Sequence, residues 1–244
     1  MQFRVITYNI HKGIGGVDRR YRPERIITTL ESYQPDIVLL QEVDDGVPRS
    51  RFDRQVDLLG DALQFKHRAY QYNVTLTRGH YGNAILSHFP LSNTEDLELT
   101  IPLKKRRRAL IAHCHLHDDH QHTVLLINCH LGLAGFERVI QLRRILNCDN
   151  LQRLHHHTPV IAGGDYNDAW GNLGRKVMEP AGFDAVSKTA RTFPAIVPMR
   201  MLDNIYYRGA INLLHSFPGH SDIARHASDH LPLVADFETG SGHV

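Results

Sequence analysis

The chain of 244 residues has only three cysteines, Cys114, Cys129 and Cys148, and no C-x-x-C pair. That excludes a disulfide framework and a four-cysteine zinc site. No apolar run approaches the ~20 residues that cross a bilayer. The opening MQFRVITYNI lacks the basic stretch, apolar centre and small-residue cleavage site of an export signal, so a cytoplasmic location is expected. The patterns G-x-S-x-G, H-E-x-x-H and G-x-x-x-x-G-K are missing, and Gly163-Gly164 opens no G-x-G-x-x-G. Serine-nucleophile, zincin and phosphate-loop chemistry therefore have no anchor. The formal charge of +2 is too small to identify a polyanion partner by itself. Hydrophobic residues at 42% and charged residues at 22% are ordinary globular values, which removes disordered and fibrous classes. No linker composition or internal repeat appears, so one domain over residues 1–244 is expected, with a disordered tail from about residue 239. What the chain has in excess is histidine, 18 residues.

Hydrophobic periodicity supplies the architecture. QFRVITYNI reads as a strand ending in a loop, and Pro23 opens a helix carried by Ile26, Ile27, Leu30 and Tyr33 until Gln34-Pro35. DIVLLQEV is a continuous apolar run, as in a strand buried on both faces. A second helix is predicted from Asp53, with Val56, Leu59 and Leu63 inward, followed by a strand near 66–74. From Tyr81 the strands are closely spaced and joined by polar turns, which suits antiparallel hairpins. An amphipathic helix over 135–152, the buried strand PVIAGGDYND, a helix near 172–181 and strands near 202–207, 211–217 and 231–237 complete the chain. Early β-α-β units and later hairpins predict a four-layer α/β sandwich, two mixed sheets face to face with helices outside.

Several apolar strands end in chemistry-bearing residues, where a rigid element can present them at a sheet edge. Asn9, Glu42, His130 and Asp165 with Asn167 occupy such ends; Asp203 precedes NIYY, and Asp229-His230 precedes LPLVADF. Together they suit hydrolysis of a phosphate ester. Hard Mg²⁺ or Mn²⁺ takes oxygen donors, here Glu42, Asp229 and the Asn9 carbonyl. His130 and Asn167 would contact phosphoryl oxygens, and His230, oriented by Asp203, would be a base of near-neutral pKa for the attacking water. Asp165 would hold the nucleophile or assist the leaving group.

The ordered series TYNIH (7–11), LLQEV (39–43), GNAILS (82–87), NCHLG (128–132), GGDYND (163–168), LDNIYY (202–207) and SDHLPLVADF (228–237) resembles the motifs of the endonuclease/exonuclease/phosphatase superfamily, with its DNase-I-like fold. Within it the chain is most similar to the compact bacterial YbhP-like branch. The resemblance implies Asn9 and Glu42 at the metal, His130 on phosphate, Asp165 and Asn167 placing water and phosphate, and Asp229 with His230 closing the site. It also implies substrate contacts from Asn83 and Tyr166 in their motifs. His11 and Asn204 depart from the commoner residues at those places.

Basic residues suggest the substrate. Arg107 and Arg108, in the run 104–108, fall near the catalytic edge if the hairpin turn is centred between Asp119 and His120. Arg20 and Arg51 stand in the loops after Asn9 and Glu42. Such a rim suits nucleic acid, so a nuclease acting on DNA is the leading expectation. An anionic phospholipid headgroup or small phosphodiester is the alternative, weakened by the lack of a recognisable apolar insertion loop or membrane helix. A catalytically silent binding module is the third reading. The cluster His113, His115, His117, His120, His122 and the run 155–157 are read as surface histidines.

Overall fold

The computed structural model describes residues 1–116 and 123–239. The expected tail beyond 239, His117, His120, His122 and the turn at Asp119 lie outside the described residues. In chain order the elements are β1 (Gln2–Asn9), α1 (Pro23–Tyr33), β2 (Ile37–Asp45), α2 (Gln55–Ala62), β3 (His67–Thr75), β4 (His80–Ser87), β5 (Leu91–Glu98) and β6 (Arg108–His115). They continue with β7 (Thr123–His130), α3 (Gly135–Leu146), α4 (Asp149–Gln152), β8 (Val160–Asp165), β9 (Asp184–Ala185), β10 (Asp203–Arg208), β11 (Ile211–Pro218), α5 (Asp222–Ala227) and β12 (Leu233–Thr239).

Two six-stranded sheets result, ordered β11-β12-β1-β2-β4-β3 and β5-β6-β7-β8-β10-β9. The pairs β1/β2 and β7/β8 are parallel and the others antiparallel. Strand alternation sorts the apolar side chains into three layers. Val5, Leu39 and Ile85 meet Leu110, Leu126, Ile161 and Ile205 between the sheets. Ile6, Val38 and Leu40 face outward onto Ile26, Leu30 and Leu59 of α1 and α2. On the far side Ile111, Leu125 and Ile127 pack on Leu142 and Ile145 of α3. This is the four-layer sandwich.

Polar groups also join the sheets. The fully buried Asn128 donates to the carbonyls of Leu40 and Ala84, both at 2.8 Å, and accepts from Gln41 Nε2 at 2.8 Å. Asn83 donates to Gln71 Oε1 and to the Arg108 carbonyl, each at 3.1 Å. Its role is thus to sew β4 to β6, correcting the expected substrate contact.

Helical expectations need two corrections. The helix predicted over 135–152 is broken: Cys148 is extended at φ −72, ψ 151, separating α3 from the single turn of α4. The segment near 172–181 is a π turn, Gly174–Met178, running into a 3₁₀ turn, Glu179–Ala181, because Pro180 cannot donate to a continuing α-helix. The periodicity of 222–227 is too short to announce α5, whose Ser221 side chain caps the Ala224 amide.

Candidate active site

Register brings the chemistry to one edge. His130 lies opposite Asp165 across β7/β8, and Asp203 lies opposite Asp165 across β8/β10, so three functional groups stand in one row. Asn9 ends β1 beside Gln41 of β2, and a bulge between Leu40 and Val43 turns Glu42 toward the same edge. Glu42 there has φ 57; Asn167 has φ 50, and His11 and Lys12 have φ 44 and 63. Left-handed backbone at four non-glycine residues around one cleft is strain of the kind that folds retain at functional sites.

Asn9, Glu42, His130, Asp165, Asn167, Asp229 and His230 all line this cleft of about 830 Å³. Asp165, buried, accepts from Asn9 Nδ2 at 3.0 Å and from the Asn167 amide at 2.9 Å. His130 Nε2 stands 3.4 Å and His230 Nε2 3.8 Å from its Oδ2. Behind His230, Nδ1 lies 2.8 Å from Asp203 Oδ2, which also accepts from the Thr192 hydroxyl. Asp229 sits 3.8 Å from His11 Nδ1.

These surroundings set the protonation states. Burial opposes charge on His230, but Asp203 and Asp165 outweigh it and raise the ring to about 10. These carboxylates favour the protonated ring over the near-neutral base expected of it. Asp165 moves up to about 6 because it is buried, with His230 pulling the other way. Burial and the Arg107 charge hold His130 well below the usual imidazole range, and it is neutral. Glu42 is held at about 2: burial opposes its charge, but His130, once protonated in acid, and Lys12 prevail, the Lys12 ammonium lying directly on its carboxylate.

Arg107 is 4% exposed, yet its Nε and Nη1 have no hydrogen-bond partner. Among the described residues no carboxylate lies within ion-pair distance of it. It faces the cleft as a buried, unpaired cation. Arg108 instead turns away onto Glu98, at 3.2 Å, and the Tyr72 ring. Arg20 is exposed outside the cleft, and Arg51 lies over the Tyr21 ring. Tyr166 is buried in the second sheet's core, donating to the Ala162 carbonyl at 2.9 Å, and does not line the cleft. The hairpin pairs Ala109 with Cys129, one residue from the expected register; as neighbours on extended backbone, Arg107 and Arg108 point to opposite sides. Asn204, a departure from the motif, turns to the Ser187 carbonyl outside the cleft.

Lys105, of the basic run, and Trp170 also line the cleft, as do Lys12, Arg138 and Arg200, which were not anticipated. Lys12 follows TYNIH directly, and that adjacency is the only signal it carries.

Glu42 and Asp229 are hard oxygen donors at the mouth, and the ionised, mostly buried Glu42 carboxylate suits Mg²⁺ or Mn²⁺ once Lys12 moves off it. Asn9 has less to offer: its main-chain carbonyl accepts from Ser228 Oγ at 2.7 Å and its Oδ1 from the His11 amide at 3.1 Å, so each oxygen already has a donor on one of its lone pairs. Asp165, Asp203 and His230 also bring ligand atoms within 4.8 Å of one another. His230 carries its proton into a 2.8 Å bond with Asp203, so that cluster is a proton network as it stands.

This fold and this edge define a known class. The model of the Endonuclease/Exonuclease/phosphatase family matches residues 6–230, and the chain belongs to that family, whose nucleases and phosphatases hydrolyse phosphoester bonds. It is similar to YbhP of Escherichia coli K12, 30% identical over 249 residues, covering 96% of this chain and 95% of that one. Among solved structures it matches an endonuclease/exonuclease/phosphatase from Beutenbergia cavernae at TM-score 0.80, 21% identity and 98% coverage of this chain, 72% of the other. The human Nocturnin catalytic domain matches at TM-score 0.75 and 23% identity, with 98% and 94% covered. Among the described residues no helix is long and apolar enough to cross a membrane.

Proposed function

We propose that the protein is a divalent-metal-dependent phosphodiester hydrolase working by in-line attack of water. The observation that carries this reading is Arg107: a buried guanidinium whose Nε and Nη1 donors lack partners, beside a neutral imidazole, suits an anion. Arg107, His130 and the Asn167 amide hold the phosphoryl oxygens. Asp165 orients the water and, with its carboxyl near 6, accepts its proton at neutral pH. The His230 imidazolium, fixed by Asp203, stabilises charge developing on the phosphoryl group. The base role thus passes from His230 to Asp165. A Mg²⁺ or Mn²⁺ ion held by Glu42 and Asp229, with Asn9 beside it, would add Lewis-acid charge to the same oxygens.

A DNA substrate draws support from Lys104, Lys105 and Arg107 at the mouth, and loses that of Arg20, Arg51 and Arg108, which point elsewhere. The anionic lipid alternative is favoured by the apolar rim taken up below. The test of the hydrolase reading is release of p-nitrophenol from bis(p-nitrophenyl) phosphate in Mg²⁺ or Mn²⁺, with EDTA as control. Metal-dependent release is expected; folded protein without turnover in either metal overturns the reading.

A further inference from the structure

The mouth of the cleft is ringed by apolar side chains that the fold leaves in water. Leu103 is 105% exposed at the tip of the segment between β5 and β6. Leu133, 75% exposed, and Phe136 follow β7; Trp170, 80% exposed, follows β8. They are neighbours: Leu133 and Trp170 line the cleft together, Phe136 and Trp170 flank the adjoining groove, and Lys104 Nζ beside Leu103 lies 5.5 Å from the Phe136 ring. Across the cleft, the turn closed by Phe193 and Arg200 exposes Val197. Single exposed apolar residues need no explanation, but a contiguous set on loop tips around one opening does.

Apart from the carboxylates of Glu42 and Asp229 at the site itself, the exposed charges among them have one sign. Lys105, Arg138, Lys176 and Arg200 stand in or beside this rim, and among the described residues none is paired to a carboxylate. The rim's Glu137 is buried under Lys104 at 3.2 Å, and Asp168 is buried with its carboxylate on the Leu173 amide. Apolar tips set among unpaired cations are the chemistry of an anionic bilayer interface, where tips enter the headgroup and acyl boundary and cations meet lipid phosphates. Nucleobases want aromatic faces, which Phe136 and Trp170 offer, whereas Leu103, Leu133 and Val197 offer none and suit an acyl boundary better. We propose that this rim docks the protein on anionic phospholipid membranes and that the cleft takes its phosphodiester from a lipid headgroup at that surface. The second clause rests on the hydrolase reading above; the docking clause does not.

Trp170 is the sole tryptophan, so its fluorescence reports on the rim alone. The experiment titrates the EDTA-treated protein with vesicles of phosphatidylcholine, with and without about one third phosphatidylglycerol, and with single-stranded oligonucleotide. A blue shift, and quenching by lipids brominated on their acyl chains, are expected with the anionic vesicles only. Leu103→Ser with Phe136→Ser, neither of which lines the cleft, should weaken vesicle binding at least tenfold while leaving bis(p-nitrophenyl) phosphate hydrolysis unchanged. Docking without hydrolysis of that soluble diester would sustain the membrane surface and remove the lipid substrate together with the hydrolase reading. Hydrolysis without a vesicle response, or a response to oligonucleotide and not to vesicles, overturns the proposal.

Discussion

Replacing Arg107 by Met tests whether the cleft is built around an anion, without relying on turnover. Met keeps most of the buried stem's volume and removes the charge, whose Nε and Nη1 lack partners. An unpaired buried cation is costly to desolvate, so the variant should be no less stable than the wild type in anion-free buffer. Ligand should separate them. For a phosphate dissociation constant of about 1 mM, 10 mM phosphate stabilises the wild type by RT ln 11, about 1.4 kcal/mol. At roughly 2–4 °C per kcal/mol for a chain of this size, Tm rises about 3–6 °C. For Arg107→Met the rise should be less than about 1 °C. Thermal unfolding followed by fluorescence, in EDTA and at matched ionic strength, reads both numbers. On the chromogenic diester the same variant should lose about 10²–10³-fold in kcat/KM, the range for removing one preorganised charge-stabilising group. Equal phosphate shifts in the two proteins would refute the argument, since the anion would then be binding elsewhere.

Three further outcomes follow from the structure. His230 is raised from 6.5 to about 10 on folding, so the stability it contributes is fully present below about pH 6.5 and is lost as pH rises toward 10; in EDTA, Tm should fall less steeply over that window for Asp203→Asn than for the wild type, and parallel curves would contradict the assignment. Asn128→Ala removes the side-chain donors of two buried carbonyls and one of the three acceptors of the Gln41 amide, a cost of about 3 kcal/mol, which urea unfolding should record together with a Tm lower by roughly 6–12 °C. All three cysteines are buried, and burial pushes Cys114 and Cys129 up to about 12; a disulfide exchange reagent at pH 8 should find no reactive thiol in the folded protein and three after denaturation.

Most of the sheet architecture could be read from the sequence because strands buried on both faces, such as IVLL and VLLIN, leave one stable arrangement, and their polar ends then collect at one edge. Asn9, Glu42, His130, Asp165, Asn167, Asp229 and His230 do meet there. Side-chain direction was the weak point. Asn83 and Tyr166 lie in motifs of the series, yet their side chains point into protein, Asn83 to Gln71 and Tyr166 to the Ala162 carbonyl. Alternation along extended backbone separates Arg107, which faces the cleft, from its neighbour Arg108. The state of His230 depends on Asp165 and Asp203, 65 and 27 positions away, and no local pattern conveys such a field. The apolar rim escaped for a similar reason: Leu103, Leu133 and Trp170 lie in three separate segments, each ordinary on its own.

The most direct measurement of the central claim is kcat/KM on bis(p-nitrophenyl) phosphate for the wild type, His230→Ala and Asp203→Asn, each in Mg²⁺, in Mn²⁺ and in EDTA, after matched circular dichroism. The account predicts metal-dependent turnover by the wild type, near-complete loss in His230→Ala and a smaller loss in Asp203→Asn. Turnover by His230→Ala at the wild-type rate, or by the wild type in EDTA, would contradict it.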